Sequence, residues 1–132
     1  MKMTGNKFLL DTNIITAWLK GEISVAEKID KAKEVNIPIT VLGELYYGAM
    51  YSLHVQKNID NIKIITAHYN VLPIDEDTTI AYGSIKAALR KKGTPIPEND
   101  IWIAAIAQRY ALTLISRDKH FKEIHSIKVK QW

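Results

Sequence analysis

The chain has 132 residues, 47% of them hydrophobic and 24% charged, with a formal net charge of +4 and no cysteine. That balance suits a soluble globular protein able to bury its own core; it excludes a disordered chain, a disulfide scaffold and a thiolate zinc site. No apolar run approaches the ~20 residues of a membrane span and no signal peptide is visible, so the expectation is one cytoplasmic domain over residues 1–132, its mild basic excess favouring an anionic partner.

In chain order, "KFLL" (7–10) is a short continuous apolar run, the pattern of a strand buried on both faces. It stops at Asp11, where "DTNIITAWLKG" opens a helix that Gly21 ends. "SVAEKIDKAKE" (24–34) has Ser24 and Glu27 at capping-box spacing and Val25, Ile29 and Ala32 on one face. "IPI" (37–39) reads as a short strand, and Thr40 as the cap of a helix through about Tyr51. A further helix is expected over 54–68, then a strand in "NVLPI".

The helix from Glu76 to Lys92 has acids at its start, Ile80, Ile85 and Leu89 on one face, basic residues in its last turn and Gly93 as its stop. "TPIPEN" leads into the apolar helix "DIWIAAIA", followed by the strands "LTLIS" (112–116) and "IKVKQW". Strands alternating with helices predict an α/β sandwich with a mainly parallel central sheet.

In such a sheet, ligands bind outside the carboxyl ends of the strands. Asp11 directly follows one predicted strand and Asp118 closely follows another, while Asp100 and Glu44 lie near the starts of helices. Taken singly, Asp11 reads as a helix cap, Asp100 as an acid in a favourable first turn and Asp118 as a turn residue. Glu44 misses the capping-box position by one, and its helical neighbours Val41, Tyr47, Gly48 and Tyr51 are apolar, aromatic or small. A carboxylate there is expensive unless paired, and Gly43 and Gly48 point to tight packing, close approach of a ligand or a helix with other bounds. Brought together, the four acids repel unless a cation neutralises them. Oxygen donors without His or Cys suit Mg²⁺ or Mn²⁺, and such an ion at a basic rim describes phosphodiester hydrolysis.

"LLDTNIITAWL", "VLGELYYGA", "ENDIWIAAIA" and "LISRDKHFKEI" resemble, in order and spacing, the four acidic motifs of PIN-domain ribonucleases, more narrowly the VapC-type toxins of prokaryotic toxin–antitoxin pairs. The likeness runs from residue 7 to Trp132. It implies a three-layer α/β/α sandwich and a metal-dependent endoribonuclease whose family acids match Asp11, Glu44, Asp100 and Asp118. Asp11, Asp100 and Asp118 would hold Mg²⁺ or Mn²⁺, and Glu44 would complete the cluster or orient the attacking water. Thr12, Asn13 and Ser116 fall on the family's small polar places, serine standing where threonine is usual. The fourth acid varies in the family, asparagine being frequent there.

The implied products carry a 5′-phosphate and a 3′-hydroxyl, and the implied partners are RNA (a tRNA or a ribosomal RNA loop), a cognate antitoxin and a second copy of the chain. Lys86, Arg90, Lys91, Lys92, Arg117 and Lys119 are the candidate RNA contacts, with Tyr46, Tyr47 and Tyr51 as candidate stacking surfaces. His54, His68, His120 and His125 show no zinc spacing and are expected at the surface or in structural roles; Trp18, Trp102 and Trp132 are assigned to the core or a subunit contact. Three rivals stand beside this reading: a receiver-type phosphoacceptor domain, which needs a paired early acid and a late lysine that "FLLDTN" and "LISRDK" do not both supply; a non-catalytic RNA- or partner-binding PIN module; and a structure-specific DNA nuclease.

Overall fold

The structure, a computed structural model, describes residues 6–132. Its strands are β1 (Lys7–Leu10), β2 (Glu34–Pro38), β3 (Asn70–Leu72), β4 (Thr113–Ile115) and β5 (Lys128–Lys130). Its helices are α1 (Thr12–Leu19), α2 (Ile23–Lys31), α3 (Ile39–Met50), α4 (Val55–His68), α5 (Glu76–Lys92) and α6 (Glu98–Arg109), followed by a 3-10 turn over Lys119–Glu123. All strand pairs are parallel and the order is β3-β2-β1-β4-β5. From β1 the chain steps outward to β2 and β3, then returns to the other side of β1. Right-handed crossovers therefore put α1–α4 on one face of the sheet and α5–α6 on the other, the expected three layers. They also make the carboxyl edge between β1 and β4 the point where the topology reverses, the place where open parallel sheets bind ligands.

The short apolar runs behave as expected. Leu9, Leu10, Leu114 and Ile115 are fully buried, each Leu or Ile so placed contributing roughly 1.5–3 kcal/mol. α6 is buried around much of its girth, from Ile103 to Ala107, its alanines allowing close approach on more than one side. One amide sits inside the sheet: Asn36 donates to the Phe8 carbonyl at 3.1 Å and accepts from Asn70 at 3.1 Å, linking β2 to both neighbours. Trp18, Trp102 and Trp132 pack on the core against Tyr69, Tyr82 and Phe8.

Several local expectations are corrected. α2 begins at Ile23, so Ser24 and Glu27 lie within it and form no capping box; Glu22 takes the cap position, makes no cap bond and sends its carboxylate to Arg117. The strand expected at 37–39 runs from Glu34 to Pro38, and the preceding helix stops at Lys31. Pro38 is tolerated because the ladder to β1 ends at Asn36, leaving only β3 beside it. α3 starts at Ile39 behind Pro38, so Thr40 does not cap it; its buried hydroxyl has no partner. On α5 the inward stripe is Thr78, Ala81, Ile85 and Leu89, and Ile80 is out of phase and 68% exposed. Gly43 and Gly48 face open space, so close packing within the chain does not explain them.

The ends of α5 are as read. Asp75 and Thr78 form a reciprocal capping box, and Gly93 closes the helix in the left-handed conformation at φ 75°. Among the described residues no helix is long and apolar enough to cross a membrane.

Candidate active site

β1 ends and α1 begins at Asp11, which is buried at 5% exposure. Its backbone N–H continues the β1–β4 ladder to the Ile115 carbonyl at 3.0 Å, which seats Asp11 beside Ser116 of the neighbouring strand end. The Ser116 hydroxyl donates to Asp11 Oδ2 at 2.7 Å, and the Thr12 N–H donates to Oδ1 at 2.8 Å. Asn13 reaches toward Asp11 Oδ2 at 3.4 Å while its own oxygen accepts the Arg117 N–H at 3.2 Å. The small polar residues around Asp11 thus fix its carboxylate and tie the ends of β1 and β4 together.

Asp118 follows β4 and caps the 3-10 turn, accepting the His120 N–H at 2.9 Å, while its own N–H donates to Ser116 Oγ at 3.0 Å. Asp100 lies in the first turn of α6. Glu44 comes from the second turn of α3, where the register brings it over the cleft rather than over the apolar stripe of Val41, Leu45 and Ala49. Glu44 is exposed, so the burial cost anticipated for it does not arise. It is held instead by two neighbours of the other acids: Thr12 and Asn99 both donate to Glu44 Oε1. Asn99 was not foreseen from sequence; the "ND" pair at a helix start was its only signal.

A cleft of about 570 Å³ unites these groups, with Asp11, Thr12, Asn13, Glu44, Asp100 and Asp118 in its wall and Lys20, Glu22 and Arg117 at its rim. Each plain reading of the acids is also correct, since Asp11 and Asp118 do cap helical turns. The cap positions are what aim them at one another. His120 is exposed, as expected, but it also stands at the cleft: its Nδ1 is 3.2 Å from Asp100 Oδ2 and 2.9 Å from Asp118 Oδ1. The short spacing from Asp118 in "DKHF" was the available clue.

Crowding shows in the protonation equilibria. Burial pushes the Asp100 carboxyl up to about 6, with the charges of Asp118 and Asp11 adding to the rise and His120 opposing it. Burial also raises Asp11, against the lowering bonds from Ser116 and Thr12. Burial pulls the His120 ring down, yet Asp118 and Asp100 together carry it above its ordinary value. A charge deficit of this kind, lined by hard oxygen donors, fits a divalent ion.

The candidate basic contacts divide. Arg117 donates to Glu22 and, at 2.8 Å, to the Trp132 carbonyl; Lys92 pairs with Glu123 at 3.1 Å and Lys86 with Glu98 at 3.1 Å. Arg90, Lys91 and Lys119 are exposed. Tyr47 and Tyr51 stack on each other at 6.0 Å on the surface, whereas Tyr46 packs on the core.

Comparison with known proteins agrees with this geometry. The PIN domain family profile matches residues 8–126. Ribonuclease VapC2 of Haemophilus influenzae is 31% identical over 129 residues, covering 96% of this chain and 98% of its own. The tRNA(fMet)-specific endonuclease VapC of Salmonella typhimurium is 30% identical over 129 residues, with 96% and 98% covered. Among solved structures, VapBC2 from Rickettsia felis bound to a DNA fragment from its promoter superposes with a TM-score of 0.88 at 28% identity, covering 95% of this chain and 98% of that one. With the fold, the four acids in order and full-length likeness to VapC ribonucleases in agreement, this chain belongs to the PIN-domain family.

Proposed function

We propose that this chain is the toxin of a toxin–antitoxin pair, an endoribonuclease whose metal-dependent active centre is the acidic cleft at the carboxyl edge of the sheet. The observation that carries the reading is the convergence of Asp11, Glu44, Asp100 and Asp118, drawn from distant parts of the chain, with no lysine or arginine bonded to any of them among the described residues. Membership of the PIN family sets the receiver-type alternative aside. The presence of all four acids argues against a non-catalytic module.

Asp11, Asp100 and Asp118 hold Mg²⁺ or Mn²⁺ in this reading. Such an ion supplies Lewis acidity, making water nucleophilic near neutral pH and stabilising charge on a phosphoryl oxygen. Ser116 and Thr12 keep the Asp11 carboxylate oriented, as outer partners of a metal ligand do. Glu44, steadied at Oε1 by Thr12 and Asn99, offers Oε2 to position the attacking water and take its proton. Arg90, Lys91 and Lys119 are free to bind phosphates flanking the scissile bond. The name of the Salmonella typhimurium relative makes tRNA the first substrate class to test.

The likeness to VapBC2 supports a cognate antitoxin as partner. A homodimer is also proposed through the end of α3, where Tyr47, Met50, Tyr51 and Leu53 are 63–97% exposed. The decisive experiment is brief induction of the chain followed by sequencing of RNA 5′ ends, beside Asp11→Asn. New ends confined to one or a few RNAs, absent from the variant and reproduced in vitro only with a divalent ion, are expected. Identical end profiles for the two proteins would overturn the proposal.

A further inference from the structure

His120 is the one imidazole at the cleft among the described residues, and nothing in the reading above gives it a task. One donor atom from each of Asp100, Asp118 and His120 lies within 4.8 Å of the other two. The His120 Nδ1 stands 3.2 Å from Asp100 Oδ2 and 2.9 Å from Asp118 Oδ1. Adjacent ligands of an octahedral ion with bonds of ~2.1 Å are about 3 Å apart, so Nδ1 is spaced from each acid oxygen as a neighbouring corner of one coordination sphere would be.

Those separations are equally those of hydrogen bonds. The difference between the two roles is chemical and has opposite consequences. A ring that only pairs with the carboxylates competes with an arriving ion, and its removal strengthens binding of every divalent cation. A ring that ligates adds a nitrogen donor, and its removal weakens binding of those ions that favour nitrogen.

Local geometry favours ligation. The backbone N–H of His120 is bound to Asp118 Oδ1 at 2.9 Å, so the 3-10 turn delivers the carboxylate and the ring as one unit. Asp118 is fixed in turn through its N–H to Ser116, whose hydroxyl also orients Asp11. The ring is half exposed, its side chain retaining 50% of its accessible surface, so water can fill the remaining corners. Nδ1 already faces the two acids, so ligation needs only the proton on Nε2 instead of Nδ1, with no swing of the ring.

We propose that His120 Nδ1 is a direct ligand of the ion held by Asp100 and Asp118, and that this nitrogen makes the site prefer Mn²⁺ and later first-row ions to Mg²⁺. The proposal rests on the cleft being a metal site. An all-oxygen site holds Mg²⁺ and Mn²⁺ on similar terms, whereas imidazole is a poor ligand for Mg²⁺ and a good one for transition ions.

The test uses the full chain stripped of metal, with His120→Gln and His120→Asn as variants whose folding is checked by their melting curves. Mn²⁺ binding is read by calorimetry and Mn²⁺ coordination by pulsed electron paramagnetic resonance, where a ligated imidazole gives ¹⁴N modulation. The wild type is expected to show that modulation and both variants to lose it. Their Mn²⁺ affinity should fall about tenfold or more with little change for Mg²⁺. Mn²⁺ bound without nitrogen modulation, or variants that bind both ions more tightly, would overturn the ligand role while leaving the metal site intact. Absence of Mn²⁺ and Mg²⁺ binding to wild type and variants alike would overturn the metal reading itself, and the proposal with it.

Discussion

At the start of α5, Asp75 meets a guanidinium: Arg109 donates through Nε to both carboxylate oxygens at 3.2 Å and through Nη2 to Oδ2 at 3.0 Å. At the carboxyl edge of the sheet, Asp11, Asp100 and Asp118 line one cleft, and Asp100 and Asp118 share an imidazole. Arg109, with the bonds from Thr78, holds the Asp75 carboxyl well below the usual carboxylate range. Burial and like charge push Asp100 up to about 6. The same side chain is thus a structural clasp where the chain supplies its counter-charge, and in the proposed function a ligand for an external cation where it does not. That contrast separates function from architecture more sharply than burial does, since Asp75 and Asp100 are both only partly covered.

The largest effect should come from breaking the uncompensated side. Asp100→Asn is expected to lower RNA cleavage by at least about a hundredfold, because in the proposed function it removes a ligand from the group that stabilises transition-state charge. Without metal it should melt no lower than wild type, since one repelling charge is gone. A large fall in melting temperature would instead make Asp100 structural. Asp75→Ala should do the reverse. It removes a helix cap and strands Arg109, lowering the melting temperature by about 5 °C or more, while cleavage per folded molecule stays within about twofold of wild type. Both are read by a melting curve and a gel-based cleavage assay on the same preparations.

Sequence alone exposed one side of this contrast better than the other. Asp11 and Asp118 were legible because a charge ending an apolar run can be placed at a strand end from periodicity alone, and parallel strands share an edge. Asp100 needed the four-motif resemblance, since a first-turn acid has an ordinary explanation; Glu44 stood out by missing the capping-box position on an apolar face, although its exposure removes the burial cost read into it. The Asp75–Arg109 clasp was not legible: 34 residues separate its partners, and only the packing of α5 on α6 brings them together. Asn99 and His120 were missed for a related reason. Neither has a pattern of its own, and each acquires its place from the acid one or two positions away. The helix starts at Ile23 and Ile39 were missed because Glu22 and Pro38 occupy the cap positions without a side-chain cap bond, so the polar residues Ser24 and Thr40 were misleading.

The pH dependence of the metal-free protein sharpens the comparison, because the two sides carry opposite signs. Asp100 and Asp11 hold their protons more tightly folded than unfolded. The stability Asp100 contributes is full below the unfolded carboxyl value of about 4 and is lost as pH rises through about 6, and Asp11 acts in the same direction. His120, also raised, adds in the same direction at somewhat higher pH. Asp75 is lowered, so its contribution is full above about 4 and disappears only as pH falls below it. The metal-free melting temperature should therefore decline from about pH 5 to pH 7. Saturating Mg²⁺ or Mn²⁺ should remove the decline, and Asp100→Asn should flatten it. A metal-free curve that rises across this range would mean the cleft carries no charge deficit.

The smallest effects concern cations, where the same distinction between paired and free groups applies. Arg117 stands at the rim of the cleft but is engaged by Glu22 and the Trp132 carbonyl, and Lys92 is engaged by Glu123. Arg90, Lys91 and Lys119 are exposed with no ion pair among the described residues. In a cleavage-deficient Asp11→Asn background, alanine at each of these three should weaken RNA binding about threefold and lower the slope of log affinity against log salt by about one. Arg117→Ala should change the slope less, because its guanidinium is already engaged by Glu22 and the Trp132 carbonyl and neutralises no phosphate. Anisotropy titrations at several salt concentrations give the slopes directly. If Arg117 instead carries the steepest slope, its pair with Glu22 opens when RNA arrives, and internal pairing ceases to be a guide to which charges the substrate uses.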